Sequence, residues 1–438
     1  MPIAAWAVAA ALLAGIAAGA PEPGAAEARL AAAIAAREPA ARTLLRRLVD
    51  INSGTMNFAG VREVGAALRV ELDALGFATR WVDGAPFGRA GHLVAERHPR
   101  AASPERAPRV LLIGHLDTVF EHDSPFQGFE LLPGDRARGP GTTDMKGGDV
   151  VMLLALQSLA DAGRLDALDL TVVLTGDEES SGSPKELARA DLEAAGEWAD
   201  VALGFEDGDG RFESAVVARR GTSDWRLEVS GRPAHSSLVF RADTGPGAIF
   251  EAARILDAFR RELAGEEYLT FNPGVLVGGT AAELDRESLR GTAFGKTNVV
   301  AGATLVEGDL RTLSPEQLER TRRRMREIVD RHLPHTGARL TFGDGYAPMA
   351  PTDGNRRLLG LFDQVSRDLD MGAVTATDPM QAGAADISFV AAKVEMALDG
   401  IGLKGTGGHT VEETADLATL GKQAKRVAVL LHRLPLAP

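Results

Sequence analysis

The 438-residue sequence contains no cysteine, so it can form neither a disulfide framework nor a thiolate metal site. Any metal ion that it binds must therefore take oxygen and imidazole ligands. Basic residues are not in excess either, because 48 lysines and arginines face 61 aspartates and glutamates, a formal net charge of −13. This balance argues against a nucleic acid or an anionic membrane surface as the partner.

Long apolar segments are also scarce, and the only one long enough to enter a membrane lies at the N-terminus. Residues 1–20 are apolar, rich in small residues and end in Ala-Gly-Ala before Pro21, a pattern typical of a secretory signal peptide. We therefore expect a secreted or periplasmic protein after cleavage. Since no lysine or arginine precedes the apolar run, an uncleaved N-terminal membrane anchor is the alternative.

Three apolar runs end abruptly in imidazole or carboxylate side chains. They are residues 110–114, followed by His115 and Asp117; residues 170–175, followed by Asp-Glu-Glu at 177–179; and residues 200–205, followed by Glu206. Short continuous apolar runs are typical of buried parallel strands. Ligands of open α/β sheets gather beyond the carboxyl ends of the strands. We therefore expect these polar side chains to meet at one edge of a sheet.

Two glycine-rich loops carry further candidate residues. The first, residues 139–144, ends in Asp144 just before an apolar helical pattern, and the second, residues 405–410, carries His409. Each motif alone is weak, because a lone His-x-Asp is more often a surface turn and an acid cluster is more often solvated. Together, two imidazoles and several carboxylates at element ends indicate a metal site.

The pattern of elements predicts an α/β fold with a second unit inserted into it. Up to residue 205, strand-like and helix-like segments alternate, which favours a mostly parallel central sheet flanked by helices. After residue 218 the strand-like runs alternate polar and apolar residues, which predicts an inserted α+β two-layer domain. The predicted parts are a signal peptide at 1–20, a catalytic domain at 25–218 and 347–438, and an inserted lid or dimerisation domain at 219–346.

The motifs, taken in order, resemble the co-catalytic dizinc exopeptidase and deacylase family. This family includes glutamate carboxypeptidase of the G type, acetylornithine deacetylase and succinyl-diaminopimelate desuccinylase. The resemblance extends from about residue 43 to the C-terminus. The segments that carry it are His-Leu-Asp at 115–117, Gly-Thr-Thr-Asp-Met-Lys-Gly-Gly at 141–148, Asp-Glu-Glu at 177–179, Phe-Glu at 205–206 and Gly-His at 408–409.

The resemblance implies two Zn²⁺ ions per subunit, with Co²⁺ or Mn²⁺ as possible substitutes. The implied ligands are Asp144 as the bridge, His115 and Glu206 for one ion, and Glu179 and His409 for the other. Asp207 directly follows Glu206 and could serve in its place if the strand register shifts by one residue. Zinc itself follows from the resemblance, since carboxylate and imidazole ligands accept several divalent ions.

The resemblance also implies three catalytic roles. Glu178 would be the general base, which takes a proton from a water shared by the two ions and passes it to the leaving amine. Asp117 would fix the tautomer of the His115 ring. His235, in a Gly-x-x-x-His-Ser segment, would reach the partner subunit's active site and stabilise the oxyanion. A histidine that only caps local backbone is the alternative for His235.

Substrate binding is implied for Arg311, Asn298 and Gly383, which match the family's clamp for a substrate carboxylate. Arginine is the natural bidentate partner of a carboxylate, although a surface ion pair of Arg311 with Asp309 or Glu307 is a competing interpretation. Gly383 begins a Gly-Ala-Ala-Asp sequence, which departs from the family's usual Gly-Gly-Thr-Asp and leaves the role of this loop open.

The function implied is that of a zinc-dependent exopeptidase that hydrolyses the amide bond of a C-terminal residue, in the manner of a glutamate carboxypeptidase. Its substrate would be a small peptide or N-acyl amino acid with a free carboxylate, and it would act as a homodimer formed through the inserted domain. An N-acyl amino acid deacylase of the same fold is the main alternative, and a dipeptidase is a further one. A non-catalytic relative is disfavoured by the intact Glu178 and ligand set.

Overall fold

The computed structural model describes residues 24–99, 108–285, 288–343 and 345–434. The predicted signal peptide at residues 1–20 lies outside these ranges. Within them, no helix combines the length and the apolar composition that crossing a bilayer requires.

The described residues form nine α-helices and eighteen strands. The α-helices are α1 (Ala25–Val49), α2 (Phe58–Ala74), α3 (Lys146–Asp161), α4 (Lys185–Ala188), α5 (Ala190–Trp198), α6 (Ala248–Leu263), α7 (Pro315–Val329), α8 (Asp353–Asp368) and α9 (Leu420–Arg433). The strands are β1 (Ala78–Asp83), β2 (Gly91–Arg97), β3 (Arg109–His115), β4 (Glu130–Leu132), β5 (Arg136–Arg138), β6 (Asp169–Thr175), β7 (Val201–Gly204), β8 (Ser214–Ala215), β9 (Gly221–Gly231), β10 (Thr270–Gly279), β11 (Ala281–Leu284), β12 (Gly291–Phe294), β13 (Ala303–Thr312), β14 (Thr336–Phe342), β15 (Thr375–Ala376), β16 (Met396–Leu398), β17 (Gly405–Thr406) and β18 (Thr414–Asp416).

The central sheet has six strands in the order β1-β2-β6-β3-β7-β16. Strands β6, β3, β7 and β16 run parallel, whereas β2 pairs antiparallel with both β1 and β6. The predicted α/β class with a mostly parallel sheet is confirmed. The antiparallel edge differs from a simple alternation of strand and helix because a short connection joins β1 directly to β2.

Strand β3 shows why its sequence is a continuous apolar run. Val110 and Leu112 belong to the core that contains residues of α1, α3 and α9, whereas Leu111 and Ile113 belong to a second core with residues of α5. All four side chains are at most 3% exposed. Since both faces of the sheet are covered, successive side chains must all be apolar.

A second sheet has four antiparallel strands in the order β10-β13-β9-β14, and α6 and α7 pack on one of its faces. Trp225, Leu227 and Val229 of β9 are buried there, whereas Asp224 and Ser230 are exposed, which is the period of two expected for a sheet with one solvated face. Whether this unit acts as a lid or a dimerisation domain stays a prediction.

A third, small sheet brings together two distant segments. Its order is β17-β18-β5-β4, and β5 pairs with β18 so that Ala137 lies opposite Ala415. The loop after β5 leads to Asp144, and the loop between β17 and β18 carries His409. This sheet therefore holds the two glycine-rich loops next to each other.

Candidate metal centre

The candidate centre lies where the parallel strands of the central sheet end. His115 is the last residue of β3, the pair Glu178 and Glu179 follows β6, and Glu206 follows β7. The small third sheet adds the loops of Asp144 and His409 to this edge. The structure thus brings together the side chains that the sequence placed at element ends.

Two groups of three residues have the geometry of metal ligands, and they share Asp144. In one group the His115 Nε2 atom lies 3.1 Å from Asp144 Oδ1 and 3.6 Å from Glu206 Oε1. In the other, the His409 Nε2 atom lies 2.8 Å from Asp144 Oδ2 and 3.1 Å from Glu179 Oε2. One oxygen of Asp144 therefore faces each group, which is the arrangement of a bridging carboxylate.

The donor set fits two divalent cations. Each group supplies one imidazole nitrogen and two carboxylate oxygens, with ligand atoms all within 4.8 Å of one another, and zinc accepts such ligands. The Glu179 Oε1 atom is buried and has no hydrogen-bond partner among the described residues. Asp207, the alternative to Glu206, is not part of either group, so the geometry favours Glu206.

The electrostatics of the site call for positive charge. Burial raises the pKa of Glu206 and of Glu179, and the nearby Asp144 raises both further. Burial also disfavours the ionised form of Asp144, but hydrogen bonds from His115 and His409 hold its pKa below the usual value. Hydrogen bonds to Asp144 and Glu179 raise the pKa of His409 to about 11. The imidazolium form of His409 thus supplies part of the positive charge that two divalent cations would bring.

The Asp117 carboxylate mainly positions the loop that carries Glu178 and Glu179, and not the His115 ring. The His115 Nδ1 atom is 3.0 Å from the Asp117 carbonyl oxygen but 3.5 Å from its carboxylate. The carboxylate instead accepts hydrogen bonds from the Thr55 hydroxyl at 2.7 Å and from the backbone amides of Glu178 and Glu179 at 3.1 and 3.2 Å. The carbonyl of Asp117 is therefore the closest partner for setting the ring tautomer.

Glu413 is a buried residue of this site that sequence reasoning missed. Its carboxylate accepts hydrogen bonds from the backbone amides of Gly141, Thr143 and Asp144 at 3.2, 2.8 and 3.2 Å. It therefore fixes the loop that presents the shared carboxylate. In the sequence it follows the exposed Glu412, and nothing local distinguishes the two acids.

A second residue that the sequence interpretation missed is Asp399, which supports the Glu206 side of the centre. Its carboxylate accepts hydrogen bonds from the Glu206 amide at 3.3 Å and from Arg219 Nε at 2.9 Å. Arg219 also donates from Nη1 to the carbonyl oxygen of Gly383 at 2.7 Å. Gly383 itself is exposed, and its loop is tied to the centre through Arg219.

The other proposed substrate-binding and oxyanion residues lie on the second sheet and its loops. His235 and Asn298 are exposed, and their segments are joined by a hydrogen bond from the Ser236 amide to the Asn298 carbonyl. Arg311 is 41% exposed and pairs with Asp309 at 3.1 Å. Within the described residues, no hydrogen bond or ion pair links His235, Asn298 or Arg311 to the two ligand groups, so their roles stay predictions.

Comparison with known proteins identifies the family. The model of peptidase family M20/M25/M40 matches residues 111–433. Carboxypeptidase G2 of Pseudomonas sp. is 23% identical over 400 residues, which cover 91% of this chain and 90% of that protein. A putative succinyl-diaminopimelate desuccinylase of Mycobacterium tuberculosis is 32% identical over 255 residues, which cover 55% of this chain and 63% of the relative.

Solved structures show the same architecture. A tripeptidase from Staphylococcus aureus superposes with a TM-score of 0.66 at 20% identity, covering 91% of this chain and 99% of that one. A dinuclear metal binding peptidase of the M20 family from Bacillus subtilis has a TM-score of 0.61 at 14% identity, covering 91% and 98%. At these identities the structures establish the fold alone. The family match, which extends over more than half of the sequence, confirms the resemblance and shows that this chain is a hydrolase belonging to peptidase family M20/M25/M40.

Proposed function

We propose that this chain is a dizinc exopeptidase that removes a C-terminal residue, such as glutamate, from a small peptide or N-acyl amino acid. The observation that carries the proposal is the pair of ligand groups that share Asp144, with Glu178 next to the ligand Glu179 in the chain. Glu178 is half-buried, and its backbone amide and carbonyl form hydrogen bonds with Asp117 and Tyr346. Burial raises its pKa, and Asp386 and Glu179 raise it further, which suits a group that must take up and release a proton.

The metal ions, when bound, would activate water at neutral pH and polarise the scissile carbonyl group. Zn²⁺ is proposed from the family, and Co²⁺ or Mn²⁺ would suit the same ligands. Glu178 would accept the proton of the attacking water and deliver it to the nitrogen of the departing amine. The Asp117 carboxylate accepts hydrogen bonds from the backbone amides of Glu178 and Glu179. It would therefore fix the positions of the general base Glu178 and the ligand Glu179 relative to each other.

The preference for a free carboxylate is proposed from two neighbouring arginines. The Arg311 side chain is half-exposed, and Arg220 lies close enough that burial and the charge of Arg311 together lower the pKa of Arg220. The Arg220 Nε atom is buried without a hydrogen-bond partner among the described residues. An anionic group would relieve this repulsion, and carboxylates suit arginine geometry. Similarity to carboxypeptidase G2 over 91% of the chain supports the same choice.

We further propose a homodimer in which the exposed His235 serves the partner subunit's active site. Near it in the sequence, Phe240 and Phe250 are 69% and 53% exposed, and their rings lie 5.4 Å apart. Large exposed apolar side chains that contact one another are typical of protein interfaces. A secreted or periplasmic location is proposed from residues 1–20 alone.

The test is hydrolysis of a small substrate panel with identified products. Folyl-glutamate, dipeptides and N-acetyl amino acids would be offered to the wild-type chain, to Glu178→Gln and to the control Glu186→Gln, which alters an exposed acid on α4. We expect wild type and E186Q to release the C-terminal amino acid, and E178Q to be inactive with both metals bound. Activity of E178Q at the wild-type rate would refute the role of Glu178.

The deacylase alternative is favoured by the 32% identity to the desuccinylase over 255 residues. The same panel separates the two reactions, because a deacylase would cleave the N-acetyl amino acids and leave folyl-glutamate and the dipeptides intact. That outcome would replace carboxypeptidase by deacylase and keep the metal centre unchanged.

A further inference from the structure

The inserted unit joins the rest of the protein through two chain segments that run side by side. Arg219 and Met349 exchange a pair of backbone hydrogen bonds, both 3.0 Å long, and the Thr222 amide donates to the Tyr346 carbonyl at 3.0 Å. These contacts make a narrow two-stranded ribbon, which we call the hinge ribbon. Any rotation of the second sheet relative to the central sheet must bend this ribbon.

The hinge ribbon carries one side chain that contacts the segment of the proposed general base. The hydroxyl of Tyr346 donates a hydrogen bond of 2.6 Å to the carbonyl oxygen of Glu178. A phenol has a single proton to donate. The Tyr346 oxygen therefore accepts hydrogen bonds from the Ser181 hydroxyl at 3.2 Å and from Arg189 at 3.3 Å. The ring packs against Phe389, with 5.0 Å between centroids.

The partners of Tyr346 on the central-sheet side are fixed in place. Arg189 is fully buried and forms ion pairs with Asp177 and Asp386. Asp177 is also the residue immediately before Glu178. The Tyr346 hydroxyl is therefore held in one position by a charged network, and from that position it contacts the backbone of Glu178.

The backbone of Glu178 is thus held from two directions. Its amide donates to the Asp117 carboxylate at 3.1 Å, from the central sheet, and its carbonyl accepts from Tyr346, from the hinge ribbon. These two groups belong to the two peptide planes that flank the Glu178 Cα atom, so together the contacts set the direction in which the side chain leaves the backbone. Without the Tyr346 hydroxyl, the peptide plane between Glu178 and Glu179 would be held only by the hydrogen bond from the Glu179 amide to Asp117.

We propose that Tyr346 is a positioning residue, which couples the hinge ribbon to Glu178 and aims its carboxylate at the metal centre. This inference rests on the proposed function, because it assumes that Glu178 is the general base. A misdirected base lowers the rate of the chemical step without weakening substrate binding. A purely structural tyrosine would instead affect stability and metal content together.

The first test is Tyr346→Phe in the full-length, metal-loaded chain. We expect kcat to fall about tenfold with KM within about twofold and both metals retained, since the variant keeps the ring and loses only the hydroxyl. The matched control is Tyr268→Phe, which removes the hydroxyl of the only other tyrosine in the chain and should keep the wild-type kcat. An unchanged kcat for Y346F, or a loss that follows metal content, would overturn the proposal.

A spectroscopic test does not depend on the folding of Y346F. A Tyr268→Phe chain grown with 3-fluorotyrosine carries one fluorine site, at Tyr346, because the sequence has two tyrosines. We expect its ¹⁹F resonance to move as Zn²⁺ is added to the metal-free chain, since Glu179 is a proposed ligand next to Glu178. In the labelled wild-type chain, the additional resonance, which belongs to Tyr268, should show no change. A Tyr346 resonance that stays fixed while Zn²⁺ binds would overturn the coupling.

The two levels of the proposal can fail separately. If Glu178→Gln turns over substrate at the wild-type rate, the proposed function fails and the role of Tyr346 fails with it. If E178Q is inactive while Y346F has the wild-type kcat, the general base stands and only the positioning role is wrong.

Discussion

Replacing Glu413 by glutamine should weaken metal binding by one to two orders of magnitude. The Glu413 carboxylate accepts hydrogen bonds from three backbone amides of the loop that ends in Asp144. Glutamine can keep the contacts of one oxygen, but its amide nitrogen would then face the Gly141 amide, donor against donor. Losing one hydrogen bond to a buried charged group costs about 1.5–3 kcal/mol, and about 1.4 kcal/mol corresponds to tenfold in affinity. We therefore expect the Kd for Zn²⁺ to rise roughly 10- to 150-fold.

The assay is isothermal titration of the metal-free chain with Zn²⁺ under a competing chelator. It belongs at pH 8, because burial raises the pKa of Glu413 to about 7 and the carboxylate must be ionised. The control is Glu412→Gln, which changes the neighbouring exposed acid and should bind as the wild type does. A wild-type Kd for E413Q would refute the idea that this carboxylate positions Asp144.

Three further predictions concern substrate binding, stabilisation of the oxyanion and the release of protons when metal binds. Arg311→Met should raise KM at least about tenfold for substrates with a free C-terminal carboxylate, since a charge-assisted hydrogen bond is lost. The KM for analogues with an amide-capped C-terminus should not change. An equal rise in KM for both kinds of substrate would contradict a role of Arg311 in binding the carboxylate. His235→Ala should lower kcat about 100-fold at full metal content, the usual effect of removing an oxyanion donor; parallel loss of metal would count against it. Binding of metal at pH 7 should release protons. Hydrogen bonds to Asp144 and Glu179 raise the pKa of His409 to about 11, so the ring stays protonated until a metal ion displaces the proton. This release should diminish as the pH rises towards 11, and a binding enthalpy that is the same in buffers of different ionisation enthalpy would refute it.

Much of the central sheet could be predicted because its signals are local. Strands β3, β6 and β7 consist largely of aliphatic and β-branched residues and are followed by polar residues, and both faces of the sheet are buried. The ends of these strands place His115, Glu179 and Glu206 at one edge. The two-layer unit was predictable for the same reason, since β9 alternates buried and exposed residues along its length.

What escaped prediction depends on contacts between residues far apart in the chain. Glu413 bonds amides about 270 positions earlier, and Tyr346 reaches Glu178 across 168 positions. Neither contact leaves a periodicity or motif in the sequence. The antiparallel pairing of β2 with β6 is also non-local, since it places Leu93 opposite Leu174.

The measurement that most directly tests the shared-ligand centre is the number of zinc ions per chain in the wild type and in three single variants. Because Asp144 gives one oxygen to each group, the account predicts two ions in the wild type, one each in His115→Ala and His409→Ala, and none in Asp144→Ala. Two ions retained in Asp144→Ala, or fewer than two in the folded wild-type chain, would contradict it.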